Sequence, residues 1–296
     1  MDRFETLTAF VAVADRRGFA AAARALGTSP PAITRAVAAL ERHLGVTLFH
    51  RSTRAVSLTD EGAALLDRAR RVLTDLREAE QIVMGGRSAP RGQLYVTAPV
   101  TFGRLHVLPV IGGLLAEHSG LSARMMLLDR NVRLVEEGID VAVRIGALAD
   151  SALRVVAIGS VEQVIVASPS YLAAHGRPVA PADLVQHRCI VGSGVRVGGS
   201  WPFGTGGEVI QVTPRLTVNT IDATIAAAEA GLGLANVLSY QAAEAIAAGR
   251  LVRVLADDAP SPLPVSLLYD AGRAAMPGVR AFIEAMRVRA RQGGWG

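Results

Sequence analysis

Apolar residues recur at helical spacing through the first sixty positions. Phe4, Leu7, Val11 and Ala14 mark one helix face, and Phe19, Ala22, Ala23 and Leu26 mark a second. Gly27 follows, where a helix tends to stop because glycine accepts positive φ. Thr28 or Ser29 then caps a third helix, with Pro30 and Pro31 in its first turn, where no N–H is needed. That helix has an apolar side of Ile33, Val37, Leu40 and Leu44, and another side of Thr34, Arg35, Ala38 and Arg42. Two short helices joined by a turn containing glycine make a helix-turn-helix, whose second helix normally enters a DNA major groove. Residues Phe49 to Thr59 read as two short strands around a Ser-Thr-Arg turn. This is a wing that carries Arg51, Thr53 and Arg54 to the phosphate backbone or the minor groove.

The pattern then lengthens. Thr59 caps a helix whose first turn holds Asp60 and Glu61, where the helix dipole favours acids. Leu65, Ala69, Val72, Leu76, Ala79 and Val83 follow at alternating spacings of four and three, a heptad seam. A single long helix with so narrow a seam predicts a partner helix, and a homodimer suits a two-fold DNA site. The alternative is a contact within the chain, against the C-terminal domain. Gly85-Gly86 ends the helix, and residues 85–92 read as a flexible hinge.

Beyond the hinge, strands and helices alternate. Leu94, Val96 and Ala98 predict a strand, 103–117 a helix, and 121–128 and 139–145 strands, the second apolar enough for a buried parallel sheet. Glu136-Glu137-Gly138 closes a short helix. A strand over 162–168, a helix from Pro169, a helix over 221–229, a strand over 264–270 and a terminal helix over 277–291 complete the reading. Such alternation argues for parallel α/β sheets.

Charge changes the picture at one place. Between Arg16 and Thr59 seven arginines face one acid, Glu41, so this segment alone carries +6 while the whole chain carries +5. That suits phosphate neutralisation. All 31 basic residues are arginine, so an arginine-rich solvated surface is the plainer alternative. Chemistry for catalysis is thin. The six histidines show no metal-binding spacing, no G-x-S-x-G elbow occurs, and one cysteine, Cys189, builds neither a disulfide nor a zinc site. The expectation is no enzyme, no catalytic residue, no metal and no cofactor. No run of 18 uncharged apolar residues predicts a membrane span, and the acidic start MDRFETLTAF does not read as a signal peptide, so the cytoplasm is expected.

The stretch FAAAARALGTSPPAITRAVAALERHLGVTLFHRSTRAVSLTDEG strongly resembles the N-terminal domain of LysR-type transcriptional regulators. Residues 90–111, PRGQLYVTAPVTFGRLHVLPVI, resemble the continuation found in one subgroup. The resemblance implies a winged helix-turn-helix, a long dimerising linker helix and a two-lobed effector domain like the type 2 periplasmic binding proteins. The fold class is thus multidomain, with an all-α winged helix-turn-helix head and a two-lobed α/β domain. The implied domains are 1–59, 60–90 and 91–296. Lobe one is about 91–161 plus 265–296, and lobe two about 162–264. By the same resemblance Ser29, Pro30, Pro31, Thr34 and Arg35 face the groove, and Arg51 and Arg54 sit on the wing. Thr34 keeps the hydroxyl of the serine many relatives carry. Pro30 replaces a polar side chain that reads bases in many of them, which leaves more of the reading to Thr34 and Arg35.

In open α/β sheets a ligand sits beyond the carboxyl ends of strands, near helix N-termini. Val100, Thr101 and Phe102 follow one strand and open a helix; Arg144, Ile145 and Gly146 end another. Trp201 and Phe203 lie in a glycine-rich stretch fit to close over a ligand, and Asn219 precedes a further helix start. Positions like these line the inter-lobe cleft in the resembled family. Each has a plainer reading: Thr101 as a helix cap, Arg144 as half of an ion pair, Trp201 as core. The expected partners are double-stranded DNA, a small-molecule effector with organic acids foremost, a second copy of the chain or a homotetramer, and RNA polymerase. The expected function is effector-modulated transcriptional regulation. A DNA-binding architectural protein or repressor without effector, and a small-molecule-binding protein, are the alternatives.

Overall fold

The computed structural model describes residues 2–51, 56–83, 89–130, 132–148, 152–192, 199–293 and 295. The chain divides into two compact units, Met1–Ser88 and Ala89–Gly296.

The first unit comprises α1 (Arg3–Arg16), α2 (Phe19–Ala25), α3 (Pro30–Leu44), β1 (Phe49–Arg51), β2 (Val56–Leu58) and α4 (Asp60–Val83). Its core joins Phe10 and Val13 of α1, Ala22 and Ala23 of α2, and Ile33, Val37 and Leu40 of α3 to Leu48 and Phe49. The Phe49 ring lies 5.4 Å from Phe10 and 5.9 Å from Phe19, centroid to centroid. Two expectations need correction. The buried stripe of α1 is Thr6, Ala9, Phe10 and Val13, one residue away from the expected Phe4-Leu7-Val11-Ala14 face, and Phe4 is 38% exposed. Apolar residues cover more than half of this helix, so several phases fit its periodicity equally well. Leu26 and Leu44 are also exposed, because each helix ends one residue short of full burial: Leu26 is itself the C-cap, and Gly45 caps α3 at φ 71°.

α4 starts as expected. The Thr59 hydroxyl accepts the Gly62 N–H at 3.0 Å and donates to Thr47 O at 2.7 Å. Gly62 is required by proximity, since a Cβ there would lie 2.2 Å from the Leu48 carbonyl oxygen. The helix runs about 36 Å at ~1.5 Å per residue. It packs against α1, with an Asp15–Arg70 ion pair between them. Ala69 is therefore corrected as a seam residue: it is buried in the core of its own head. Leu65 also packs on that core while staying partly exposed, Leu76 is partly exposed, and Val72 is 44% exposed. The side chains of Ala79 and Val83 and the Gly85-Gly86 hinge lie outside the described residues.

The second unit holds two five-stranded sheets. The first contains β3 (Gly92–Ala98), β4 (Leu121–Leu127), β5 (Val141–Ile145), β6 (Arg154–Val161) and β14 (Leu263–Tyr269), in the order β4-β3-β5-β14-β6. The second contains β7 (Gln163–Ala167), β8 (Cys189–Gly192), β11 (Pro214–Val218), β12 (Leu234–Leu238) and β13 (Val252–Val254), in the order β11-β8-β12-β7-β13. A hairpin of β9 (Ser200–Phe203) and β10 (Glu208–Gln211) stands apart. Both sheets are mixed, which corrects the all-parallel expectation. In each sheet four strands run the same way and one is reversed: β14 in the first sheet, antiparallel to β5 and β6, and β7 in the second, antiparallel to β12 and β13. The chain leaves the first sheet through β6, which runs with its parallel strands, and the reversed strands are those entered after a crossover, β7 and β14.

The helices are α5 (Val100–Glu117), α6 (Leu134–Glu137), α7 (Pro169–His175), α8 (Ile221–Glu229), α9 (Ser239–Ala247) and α10 (Pro277–Arg291). α5 begins three residues earlier than its pattern predicts and contains a π-helical turn over Gly103–Val107, where Leu108 N–H bonds to Gly103 O. Its length and mean hydropathy of 1.2 match a membrane span, yet Phe102, Val107, Ile111 and Leu114 pack into the core of the first sheet. Trp295 closes the same core and donates its indole N–H to Ile158 O at 2.9 Å. Gly159, at φ 129°, leaves room for that ring: a Cβ would stand 2.8 Å from Trp295 Nε1. In the second sheet Val164, Val166, Ile190, Ala235 and Val237 pack with alanines of α8 and α9, while Ile165, Ala167, Cys189, Val191 and Leu234 pack with Tyr171, Trp201 and Phe203.

Candidate nucleic-acid interface and ligand cleft

α3 places the groove-facing residues as its sequence dictates. Ser29 is the N-cap, its hydroxyl accepting the Ala32 N–H at 3.4 Å, and Pro30 and Pro31 open the helix. Gly27, at φ 62°, makes the turn that precedes them. Thr34 donates its hydroxyl back to Pro30 O at 3.0 Å, which fixes the rotamer and leaves the oxygen lone pairs outward. Ser29, Pro30, Pro31 and Arg35 are exposed, Arg42 is exposed two turns further along, and no core residue intervenes on that face. β1 and β2 pair antiparallel, with Phe49 opposite Leu58 and Arg51 opposite Val56. The Arg51 side chain and residues Thr53 and Arg54 lie outside the described residues. The backbone therefore forms the two strands of a wing beside a convex, basic helix face.

In the second unit, β3, β4 and β5 of the first sheet all point their carboxyl ends toward the crossovers, as do β8, β11 and β12 of the second. Strand ends of both sheets thus border one cleft. At the lobe-one edge the expected residues separate. Val100 N–H is already taken by the Asp129 carboxylate at 3.0 Å, so the first donor of α5 is not free for an anion. Phe102 is corrected: it is fully buried core, its ring 4.7 Å from His106 and 5.4 Å from Tyr240. Thr101 borders a groove between α5, α8 and α9 of about 480 Å³. Arg144 has a buried Nη2 without a hydrogen-bond partner, while its Nη1 donates to Val143 O at 3.2 Å. Burial pulls this guanidinium below its ordinary pKa and the Glu137 charge opposes that pull. Ile145 and Gly146 finish β5 at the same edge.

At the lobe-two edge, Trp201 and Phe203 belong to a strand of the β9–β10 hairpin, not to an open loop, and both are buried in the core. Phe203 is corrected as a ligand residue on that ground, although it also borders a small cavity of about 10 Å³. Trp201 is core that also walls a cavity of about 50 Å³ at the strand ends. Asn219 is exposed, just before the Thr220 cap of α8. The cavity beside Trp201 is completed by residues the sequence reading missed: Gln163, Ser200, Ile221, Asn236 and Gln241. The available signal was a polar residue at a core-facing position in otherwise apolar strands, in QVIVA and LANVL.

Two further groups are chemically unusual. His106, 9% exposed, has no partner at either ring nitrogen and sits among Phe102, Tyr240 and Trp295. Burial, assisted by the Arg289 charge, lowers its pKa to about 4, so the ring is neutral. Burial pushes the Cys189 thiol up to about 12, and its Sγ points to the Leu184 and His187 carbonyls within an apolar cluster, so it is a protonated core residue. Among the described residues no cluster of three or more His, Cys, Asp or Glu is placed to hold a metal.

Residues 4–63 match the family described as bacterial regulatory helix-turn-helix protein, lysR family, and residues 87–291 match the LysR substrate binding domain. The chain is 33% identical over 287 residues to an HTH-type transcriptional repressor of Pseudomonas aeruginosa, covering 96% of this chain and 90% of that one. It is 35% identical over 283 residues to the HTH-type transcriptional regulator PtxR of the same species, covering 95% and 91%. Among solved structures it resembles CrgA, a LysR-type transcriptional regulator from Neisseria meningitidis, with a TM-score of 0.62, 28% identity, and coverage of 96% and 97%.

Proposed function

This chain belongs to the LysR family of bacterial transcriptional regulators, which join a DNA-binding head to an effector-binding domain, and we propose how its own residues divide that work. Residues 1–59 read DNA, 60–90 hold two copies together and 91–296 bind the effector between lobes of about 91–161 plus 265–296 and 162–264. The observation that carries the DNA reading is the exposed face of α3, which presents Thr34 and Arg35 beside a two-stranded wing. Ser29 serves mainly as the helix cap. Thr34 and Arg35 then make the base contacts, while Arg51, Thr53 and Arg54 meet the backbone or minor groove.

Pairing of two α4 helices through Val72, Leu76 and the positions beyond them places two heads on a two-fold operator, and a pair of dimers is a further level of assembly. The effector is an organic acid whose carboxylate would satisfy the unpartnered Arg144 N–H. Its binding biases one of two arrangements of the assembly, and contact with RNA polymerase is the output. The protein works in the cytoplasm and catalyses no reaction.

Two variants test this reading. Arg35→Ala weakens specific operator binding by about 1–3 kcal/mol in a gel-shift titration and leaves nonspecific binding nearly intact; an unchanged shift rejects the base contact. Leu76→Asp turns the dimer into monomers in sedimentation velocity, and a dimer that persists places the seam elsewhere.

A further inference from the structure

On one face of the second sheet the inward positions run Ile165, Ala167, Cys189, Val191 and Leu234, all apolar. At its cleft end the same face changes character. Leu238 pairs with Gln163 and Asn236 with Ile165, so Gln163 and Asn236 share this face as diagonal neighbours on β7 and β12. Such neighbours stand about 7–8 Å apart, a gap that two amide side chains and one small polar group can span. Gln163 is only 7% exposed. Neither carboxamide has a hydrogen-bond partner among the described residues, and both line the cavity beside Trp201 as well as the smaller one beneath Phe203. The other polar side chains there are engaged: Gln241 binds Leu238 N–H and the Tyr240 hydroxyl, and Ser200 binds Gln211.

The fold does not need these two amides. Leucine or methionine would continue the apolar face, and a buried polar group without a partner is destabilising. The cavity holds about 50 Å³, room for about four water-sized groups at roughly 10–15 Å³ each. No charged side chain lines it among the described residues. Arg253 borders only the smaller cavity and is paired with Glu162, so a carboxylate entering the larger one would lose its hydration with no free counterion among the described residues, whereas a group with both a donor and an acceptor would satisfy two amides at once.

We propose that Gln163 and Asn236 form a subsite for an uncharged polar group, so that the effector carries a hydroxyl or carboxamide at its lobe-two end. This rests on the reading of the inter-lobe cleft as the effector site. It makes the effector a hydroxy acid or an amide of a dicarboxylic acid in preference to a plain or doubly ionised acid.

The test uses the full-length protein and thermal unfolding against two matched series. One is butyrate, 4-hydroxybutyrate, succinamate and succinate; the other is benzoate with its 4-hydroxy, 4-carbamoyl and 4-carboxy derivatives. The hydroxyl or carboxamide member of a series binds about tenfold more tightly than its parent and its diacid, as expected for one or two added neutral hydrogen bonds. Gln163→Leu and Asn236→Leu abolish that preference and leave the ligand-free Tm unchanged or raised. Strongest binding by a parent or diacid overturns the subsite. A lowered ligand-free Tm in both variants also overturns it, since the amides would then be structural. A flat response of the wild-type protein to every compound overturns the organic-acid effector itself, and the subsite with it.

Discussion

The two units place their working residues in opposite ways. In the head, Thr34 and Arg35 stand on the outside of a helix whose inner face is sealed by Phe10, Phe49 and the α3 aliphatics. Polar chemistry there is exposed and costs little to keep. In the second unit, among the described residues, the buried unsatisfied groups are Arg144 Nη2 and both nitrogens of His106, and the amides of Gln163 and Asn236 line a cavity. A DNA-reading surface meets a large polyanion from outside, whereas a ligand site must hold polar groups ready in a partly dry interior. The head can therefore be stable in its working form, while the second unit gains stability when its cleft is filled.

Perturbing each unit by itself sharpens this contrast. The largest effect is expected from Phe49→Ala, which removes the ring at the centre of the head and costs about 3–5 kcal/mol. In calorimetry the head transition drops and that of the second unit stays in place; a joint drop would show that the two unfold as one. Asp140→Ala acts on the second unit. Asp140 is buried, paired with Arg273, and accepts the Tyr95 N–H at 2.7 Å. Its loss takes a carboxylate from a partly buried guanidinium and the acceptor from the Tyr95 N–H, a cost of about 3 kcal/mol, and gel-shift affinity of the refolded fraction is unaffected.

His106 gives the third effect, through pH. Its folded pKa of about 4 lies below the ordinary 6.5. As pH falls the unfolded chain takes up the proton first, so stability is full above 6.5, drains between 6.5 and 4, and is level below that. The loss is about 2–3 kcal/mol at ~1.4 kcal/mol per pKa unit with allowance for relaxation. Urea midpoints of the second unit between pH 7 and pH 4 measure it. His106→Leu flattens the profile, and an unflattened profile assigns the acid sensitivity to another group.

The same contrast explains what could be read from the sequence. The head was legible because its signals are local: the Ser29 cap, the Gly27 turn, the paired strands and the Thr59 cap all join residues within a few positions of each other. Its one phase error, in α1, arose where apolar residues surround the helix. The cleft was less legible because it is assembled from the ends of strands far apart in the chain. Gln163 and Asn236 become neighbours only through an antiparallel pairing over 70 residues of sequence. The strand periodicity that found β3, β5 and β7 does not reveal that pairing, and it also missed the antiparallel return of β14. Phe102 and Phe203 were placed by adjacency to a strand end or to glycine, and burial decided otherwise, whereas Trp201 is core that still walls the cavity.

The wide turn in α5 has a consequence for how this helix tolerates change. Leu108 reaches back five residues to Gly103, so the helix carries one residue more than a regular turn would. Each residue of an α-helix rotates the following face by about 100°. The turn is thus a phase adjuster: it lets Thr101 face the groove and Ile111 and Leu114 face the sheet on one continuous rod. Substitutions on either side leave that adjustment intact. Deleting one residue between Gly103 and Val107 would instead rotate the two halves out of step, and the rod would have to surrender either its cleft end or its core end.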